Sequence, residues 1–101
     1  MKTDSTLARP ALTDLCVDYP QEGELISSRG YTFRISGQAR TVEVAVDGDE
    51  WRPCRRASGV WWFDWSGYAP GRHQILVRAR TNDRDGYTFR TCRFHSESAP
   101  I

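Results

Sequence analysis

The sequence has no long apolar run. None of its 101 residues lies in an apolar segment that approaches the roughly 20 residues needed to cross a membrane as a helix. Residues 1–6 are mostly polar and include the charged Asp4, whereas a secretory signal has an apolar centre. We therefore expect an intracellular, cytoplasmic protein that does not contact a membrane.

Cysteine is scarce and lysine is nearly missing. The three cysteines, Cys16, Cys54 and Cys92, are widely spaced and form no C-x-x-C pair. We therefore expect neither a secreted disulfide framework nor a paired-cysteine zinc site, and only Cys92-x-x-His95 approaches a metal-ligand spacing. Thirteen of the fourteen basic residues are arginine, Lys2 being the exception. Either a coding bias or a need for the planar contacts of guanidinium groups explains this.

Motifs of catalysis are also missing. The sequence contains no G-x-S-x-G elbow, no glycine-rich phosphate loop and no carboxylate pair in a recognisable context. Its formal net charge is only +1, so no strong overall field attracts nucleic acid or an anionic membrane. We therefore predict a protein that is not an enzyme and holds neither a cofactor nor a metal.

What the sequence does contain is a set of short strand patterns. The clearest covers residues 42–51, where Val42, Val44 and Val46 alternate with less apolar residues and Asp47-Gly48 begins a tight turn. A second strand opens on Trp51 and includes Pro53, which cannot donate to a β-ladder and so indicates an edge strand or a bulge. No segment carries a convincing helical period.

Similar patterns recur along the chain, separated by turn residues. A short apolar contact is expected within residues 24–28, a hairpin loop at 82–86, and an edge strand whose Leu12 and Cys16 face inward. Such a series is typical of an all-β, immunoglobulin-like antiparallel β-sandwich of about seven strands. We predict one domain at 11–95, a flexible leader at 1–10 and a flexible tail at 96–101. The predicted strands cover residues 11–17, 31–36, 42–46, 51–56, 60–65, 73–80 and 87–94.

One pentapeptide, Gly-Tyr-Thr-Phe-Arg, occurs twice, at residues 30–34 and 86–90. In the strand that begins with the first copy, the alternation places Tyr31, Phe33 and the following Ile35 on the buried face. Because the flanking residues of the two copies differ, we interpret the repeat as the same half-buried strand found twice rather than as a duplication.

Three stretches resemble a known family. Residues 42–51, VEVAVDGDEW, are similar to the "VEVSVDGG-x-W" hairpin of bacterial immunoglobulin-like domains, in particular the carboxy-terminal dimerisation domain of sulfite-oxidase-type molybdenum enzymes. Residues 62–65, WFDW, resemble its aromatic strand. Residues 71–80 with Asp85-Gly86 resemble its "G-x-H-x-I-x-VRA-x-D-x-x-G" strand and turn.

This resemblance spans roughly residues 17–95 and implies an immunoglobulin-like fold and a role in dimerisation. The sequence departs from the family pattern by a longer connection at residues 80–82. It also contains no molybdenum-cofactor domain. The resemblance therefore implies an accessory module and no catalytic role, because sandwich modules serve many functions.

An aromatic row is the first candidate binding site. Successive residues of a strand face opposite ways, so Trp61 and Trp62 cannot both point into the core. If Trp62 is inside, then Trp61, Phe63 and Trp65 share the outer face near Tyr68. An exposed row of this kind would contact a protein or stack on sugar rings. Alternatively, a bulge, a loop or the leader covers these side chains.

Arginines form the second candidate site. Three of them should project from the outer face of adjacent strands, because their neighbours Val77, Ala79 and Phe89 are expected to point inward. The valine strand should bring Glu43 and Asp47 beside two of them, forming a charge ladder in which each pair contributes about 0.2–1 kcal/mol. A face that binds anions or nucleic acid is the alternative. The three arginines are Arg78, Arg80 and Arg90.

We therefore predict a non-catalytic module that mediates protein–protein interaction, including self-association. Two alternatives stay open, namely a carbohydrate-binding module with exposed tryptophans and an accessory domain that binds anions or nucleic acid. The predicted contact residues are Trp61, Phe63, Trp65, Tyr68, Arg78, Arg80 and Arg90.

Overall fold

The computed structural model describes residues 15–80 and 86–97, and all the regular structure in these ranges is β-strand. None of the described residues belongs to an apolar helix of membrane-spanning length. The nine strands are β1 (Cys16–Tyr19), β2 (Leu25–Ile26), β3 (Gly30–Ser36), β4 (Thr41–Val46), β5 (Arg52–Pro53), β6 (Arg55–Ala57), β7 (Val60–Ser66), β8 (Gly71–Arg80) and β9 (Thr88–Ser96).

The strands form two sheets that pack face to face. One sheet has four strands in the order β1-β3-β7-β6, and the other has five in the order β2-β9-β8-β4-β5. The pairing of β2 with β9 is parallel, and the other pairings are antiparallel. This is the strand arrangement of an immunoglobulin-like sandwich. The predicted fold class is therefore confirmed.

The valine hairpin forms as the alternation predicts. Val42, Val44 and Val46 of β4 are buried, and β4 pairs along its length with β8. Asp47 and Gly48 both have positive φ, 54° and 79°, and the Asp49 amide donates to the Val46 carbonyl at 3.0 Å. Two successive positive φ angles define a type I′ turn, whose twist matches that of the flanking strands.

The strand expected at residues 51–56 is divided between the two sheets. Arg52 and Pro53 pair with β4, and the Cys54 amide still donates to the Val42 carbonyl at 2.9 Å. The next three residues, β6, pair instead with β7 in the other sheet. Pro53 thus lies in an edge strand as predicted. The prediction of a single continuous strand over residues 51–56 was wrong, because the chain crosses between the sheets at Cys54.

The core lies between the sheets and is closed by branched aliphatic and aromatic side chains. Phe33 of β3 and Phe94 of β9 meet across the sandwich with ring centroids 5.8 Å apart and an edge-on angle of 71°. Burial of one such side chain contributes roughly 1.5–3 kcal/mol. The largest fully buried residues are Phe33, Phe94, Ile35, Ile75, Val42, Val44, Val77 and Pro20.

The two identical pentapeptides face opposite ways. In β3, Phe33 is fully buried, whereas Phe89 in β9 is 50% exposed. The difference arises because Cys92 and Phe94 are buried, and strand alternation then turns Phe89 to the other face. The interpretation of the repeat as one half-buried strand found twice was therefore wrong, as was the expectation that Phe89 points inward.

The ends of the chain differ in part from expectation. Strand β1 is an edge strand as predicted, but Leu15 is buried and Cys16 is exposed, so the prediction that Cys16 faces inward was wrong. Strand β9 continues to Ser96, which is buried. The predicted leader, the position of Leu12, most of the loop at 82–86 and most of the tail lie outside the described residues.

Candidate functional site

The aromatic strand β7 turns its odd-numbered residues inward. In antiparallel pairing, residues directly opposite each other lie on the same face of the sheet. Trp61 is opposite Ile35, and Phe63 is opposite Phe33, both of which are fully buried. Trp61 is accordingly only 7% exposed, and Phe63 and Trp65 pack against the core. The predicted outer row of Trp61, Phe63 and Trp65 was therefore wrong.

Trp62 is the tryptophan of this strand that faces outward. Its indole nitrogen donates to the Ala57 carbonyl at 3.0 Å, and the Arg34 guanidinium lies 5.8 Å from the centre of its ring. Asp64 shares the outward face and binds Arg55 at 3.3 Å. This face of the four-stranded sheet is thus covered by local polar contacts.

The outer face of the five-stranded sheet carries a different aromatic group. Tyr87 and Phe89 are 39% and 50% exposed, and their ring centroids are 6.0 Å apart. Trp51, directly before β5, approaches Phe89 at 6.4 Å. We call this group together with its charged neighbours the outer-face cluster; it consists of Glu43, Trp51, Arg78, Arg80, Tyr87 and Phe89.

Arg78 is the centre of the outer-face cluster. Its guanidinium carbon lies 4.1 Å from the centre of the Trp51 ring and 4.5 Å from that of Tyr87. Its Nε donates to the Glu43 carboxylate at 2.8 Å. Arg80 adds a second cation, 5.3 Å from the Tyr87 ring. The cluster therefore alternates aromatic rings with guanidinium groups, an arrangement stabilised by cation–π attraction.

Strand register explains why these side chains meet. Arg78 lies opposite Glu43 of β4 on one side and opposite Phe89 of β9 on the other. The predicted pairing of Glu43 with Arg78 is therefore confirmed. The prediction that Asp47 also lies beside the arginines was wrong, because its carboxylate binds the His73 ring and the backbone amide of Gln74.

Arg90 does not belong to this face. It lies opposite the buried Val77, so its side chain is directed to the core side of β9. There its Nε donates to the Leu15 carbonyl at 3.0 Å. Of the three arginines predicted to share an outer face, only Arg78 and Arg80 do so, since Arg90 follows the buried alternation of Cys92 and Phe94.

A cleft opens between the sheets along one flank of the sandwich. Strand β6 pairs only with residues 60–62 of β7, and β5 belongs to the opposite sheet. The second half of β7 consequently has no β6 residue beside it. The opening has a volume of about 350 Å³. We call it the flank cleft; Phe63, Trp65 and Tyr68 line one wall, and Asp49, Glu50 and Arg52 line the other.

The aromatic wall of the flank cleft is held in place. The rings of Trp65 and Tyr68 stack almost parallel, at 10° and with centroids 3.9 Å apart. The Tyr68 hydroxyl donates to the Ser28 carbonyl. Trp65 also meets the ring of Phe94 edge-on at 5.4 Å. Three of the predicted contact residues, Phe63, Trp65 and Tyr68, therefore do lie together, in a cleft rather than on an open face.

An Asp–His–Ser chain lies next to the cleft. The Asp47 carboxylate is 2.6 Å from His73 Nδ1, and His73 Nε2 is 2.9 Å from the Ser96 hydroxyl. Nε2 is also 2.8 Å from the Ala69 carbonyl, which can only accept, so Nε2 donates. A nitrogen that donates here cannot take the Ser96 proton as a general base does. The Asp47–His73–Ser96 series therefore has a structural role, because it connects the β4–β5 turn to β8 and β9.

The described cysteines are free thiols with little nucleophilic character. Burial, aided by nearby Glu43, raises the pKa of Cys54 to about 12. Burial, with Glu22 and Glu24, raises the pKa of Cys92 to about 11. The thiolate is the reactive form of cysteine. Among residues 15–80 and 86–97, no three His, Cys, Asp or Glu side chains are grouped to hold a metal ion.

Sequence reasoning missed Trp51, Tyr87 and Phe89 as members of a surface site. The signal for two of them was present, because Cys92 and Phe94 are the apolar residues at the centre of β9 and their alternation places Tyr87 and Phe89 on the opposite face. Trp51 gives no such signal. Its position depends on the crossing at Cys54, which divides the strand that follows it.

No family model matches the chain, and no curated protein matches it at a significant level. Solved structures do match. An endo-β-1,4-mannanase from Thermotoga petrophila aligns with a TM-score of 0.69 and 13% identity over 83% of this chain. The fibronectin(III)-like modules of Clostridium thermocellum CbhA align with a TM-score of 0.62 and 20% identity over 85%. An engineered protein aligns with a TM-score of 0.67 and 19% identity over 81%.

These likenesses concern the fold. The chain spans 19% of the length of the mannanase and of the engineered protein, but its match covers 99% of the CbhA module. The fold of this chain is that of an immunoglobulin-like β-sandwich. More particularly, its structural neighbours include fibronectin(III)-like modules. They support the sandwich predicted from sequence and carry no argument for the dimerisation domain of sulfite-oxidase-type enzymes.

Proposed function

We propose that this chain is a non-catalytic module that binds a protein partner through the outer-face cluster. The observation that carries the proposal is the exposure of Tyr87 and Phe89 beside the stacked Arg78. Aromatic residues and arginine are the types most enriched in the energetic centres of protein interfaces. A neighbouring set of exposed aromatic side chains on a folded domain is itself a mark of an interaction surface.

The cluster is organised before any partner arrives. Arg78 is fixed by a carboxylate at Nε and by two aromatic rings whose centres lie 4.1 and 4.5 Å from its guanidinium carbon. Immobilising a flexible side chain on binding costs about 0.5–1.5 kcal/mol. Because Arg78 is already ordered by Glu43, Trp51 and Tyr87, most of that cost is absent when a partner binds. The surface is thus rigid and partly apolar, as a docking surface requires.

The charge of the cluster favours a protein over a polyanion. Arg78 and Arg80 supply two positive charges, and Glu43 offsets one of them at 2.8 Å. Arg90, the third arginine of the predicted anion-binding face, is directed to the core side of its strand. Nucleic-acid affinity depends on several surplus cations acting together. A protein partner with an apolar surface and a single acidic residue fits this cluster better.

Self-association through the same face is the second form of this proposal. The sequence likeness to a dimerisation domain motivates it, and a two-fold axis would place the cluster of one protomer on that of another. The likeness to part of a mannanase suggests a setting in which the module accompanies a separate catalytic domain. In each case the outer-face cluster is the contact.

Affinity capture with matched variants tests the proposal. Wild type, Phe89→Ala and Leu25→Ala are immobilised and exposed to extract from the native host, and sedimentation follows self-association. Leu25 is also an exposed apolar residue, but it lies in β2, outside the cluster. We expect Phe89→Ala to lose at least tenfold of the partner or dimer affinity and Leu25→Ala to retain it. Equal retention by both variants would contradict the proposal.

A further inference from the structure

We propose that the flank cleft is a second binding site, which accepts a single ring of a neutral sugar. This site is separate from the protein contact proposed above, because the cleft lies between the sheets and the outer-face cluster lies on the outside of one sheet. The inference rests on three features of the cleft, namely its permanent opening, its aromatic wall and its mixed polar wall.

The opening is a consequence of the topology. The crossing at Cys54 takes the chain from β5 in one sheet to β6 in the other. Strand β6 ends its pairing at Trp62, so among the described strands none pairs on this side with the part of β7 that carries Phe63 and Trp65. Side chains that point inward from this part of the strand therefore border the cleft as well as the core. Within residues 15–80 and 86–97, no movement is needed to admit a ligand.

The aromatic wall offers an apolar surface of the right kind. Phe63, Trp65 and Tyr68 are only partly buried, and the stack of Tyr68 on Trp65 keeps both rings in fixed orientation. A sugar ring has a face formed by C–H groups, which packs on aromatic side chains by burying apolar area. Tyr68 reaches the Ser28 carbonyl with its hydroxyl, so its position is set without a ligand.

The opposite wall supplies hydrogen-bonding groups of both kinds. Asp49, Glu50 and Arg52 are exposed, and within residues 15–80 and 86–97 they take part in no ion pair or side-chain hydrogen bond. Carboxylates accept hydrogen bonds from the hydroxyl groups of a ligand, and a guanidinium donates hydrogen bonds to the oxygens of those hydroxyl groups. Both kinds of bond are charge-assisted and therefore strong. A polyhydroxylated ligand can use all three groups.

The polar wall carries charges of both signs, so neither an anion nor a cation meets only opposite charge. A cationic ligand would meet the like charge of Arg52, and an anionic one would meet those of Asp49 and Glu50. Asp47, the remaining carboxylate of this wall, is held by the His73 ring at 2.6 Å and by the backbone amide of Gln74 at 2.8 Å. These bonds anchor the type I′ turn that presents Asp49 and Glu50. The wall is consequently rigid as well as mixed in charge.

The size of the cleft limits the ligand. Its 350 Å³ is at the small end of the range of about 300–1,000 Å³ found for ligand pockets. One sugar ring fits such a space, with the next ring of a disaccharide extending into solvent. Specificity for the sugar would then come from the placement of its hydroxyl groups against the three polar side chains.

Nuclear magnetic resonance titration tests the proposal. The chain has four tryptophans, and each indole N–H gives its own signal. Cellobiose, mannobiose, xylobiose and maltose are added separately to the full chain at about 10 mM, a concentration that detects millimolar dissociation constants. We expect at least one sugar to shift the Trp65 signal and to leave that of Trp62 unchanged. Absence of a Trp65 shift with all four sugars would overturn the proposal.

Matched variants locate the binding. Asp49→Ala combined with Glu50→Ala removes two acceptors that have no partner in the described fold. The control, Glu22→Gln, alters an exposed carboxylate that binds Arg93 on another part of the surface. We expect the double variant to weaken sugar binding at least tenfold and the control to leave it unchanged. Equal affinity of the double variant and wild type would overturn the proposal, whether or not the outer-face cluster binds a protein.

Discussion

Arg78 shows how one residue can organise a surface. Its planar guanidinium lies close to the rings of both Trp51 and Tyr87 while its Nε donates to Glu43. A lysine at this position would keep the charge but offer neither a flat surface nor a fixed hydrogen-bond direction. The arginine bias of the sequence therefore has a structural use here.

Replacing Arg78 should reveal this use. We expect Arg78→Lys to lower the free energy of unfolding by about 0.5–1 kcal/mol and Arg78→Ala by about 1–2 kcal/mol, because cation–π contacts and the Glu43 bond are lost in part or in full. Urea denaturation measures both. Arg93→Lys is the control, since its exposed pair with Glu22 should contribute little. Equal effects at Arg78 and Arg93 would argue against the stacked arrangement.

The Glu43–Arg78 pair was predictable from sequence, and its aromatic neighbours were not. Alternation in two adjacent strands is enough to place a glutamate opposite an arginine. Asp47 was misplaced for a related reason. It is the first central residue of a type I′ turn, directly after the end of β4, so alternation no longer tells where its side chain points.

The partly buried thiol of Cys54 and the buried thiol of Cys92 make the stability of the fold depend on pH in the alkaline range. The pKa of Cys54 is raised from 9.0 to about 12, and that of Cys92 from 9.0 to about 11. The folded state therefore favours the protonated thiol. That contribution is complete below pH 9.0 and is lost as the pH rises toward the folded-state values. We expect wild type to lose more stability above pH 9.0 than a Cys54→Ala/Cys92→Ala variant in denaturant titrations. Parallel losses would contradict this assignment.

At the scale of elements, the repeated pentapeptide shows that neighbours decide which way a strand faces. The five residues of each copy are identical, yet Phe33 is buried and Phe89 is half-exposed. In β9, the burial of Cys92 and Phe94 determines the alternation, whereas in β3 the burial of Ile35 does so. A short sequence pattern therefore predicts that a strand forms, but it does not predict which face of the strand is buried.

Two substitutions within identical sequences test this conclusion. Phe33→Ala should lower the free energy of unfolding by about 3–5 kcal/mol, because it leaves a cavity in a packed core. Phe89→Ala should lower it by less than about 1 kcal/mol, because its side chain remains half in water. Both values come from the same urea titration. Comparable losses at the two positions would mean that the register of β9 is wrong.

Sequence patterns predicted the long strands well and the crossing poorly. Strands β3, β4 and β8 follow a simple alternation of apolar and polar residues. In β7 nearly every residue is apolar, and the single charge, Asp64, was the signal that Trp62 faces outward with it. Pro53 indicated an edge strand, but nothing local specifies that the chain leaves one sheet for the other at Cys54, because that choice depends on the packing of both sheets.

At the scale of the whole molecule, one hairpin contributes to both proposed binding surfaces. Trp51 turns outward to Arg78, while the next residue, Arg52, lines the flank cleft with Glu50. Alternation along an edge strand thus divides neighbouring residues between an outer face and an opening between the sheets. Among the described strands, β5 has a neighbour on one side only, and the two surfaces are separate enough to be altered one at a time.

Side-chain footprinting of the free and the partner-bound protein tests whether the outer-face cluster is the contact surface. Hydroxyl radicals oxidise exposed side chains, and mass spectrometry reports the extent at each residue. We expect Tyr87 and Phe89 to be oxidised in the free chain and protected in the complex or dimer. Tyr19 and Leu25, which are similarly exposed elsewhere on the surface, should be oxidised equally in both. Protection of Tyr19 or Leu25 while Tyr87 and Phe89 stay fully reactive would contradict it.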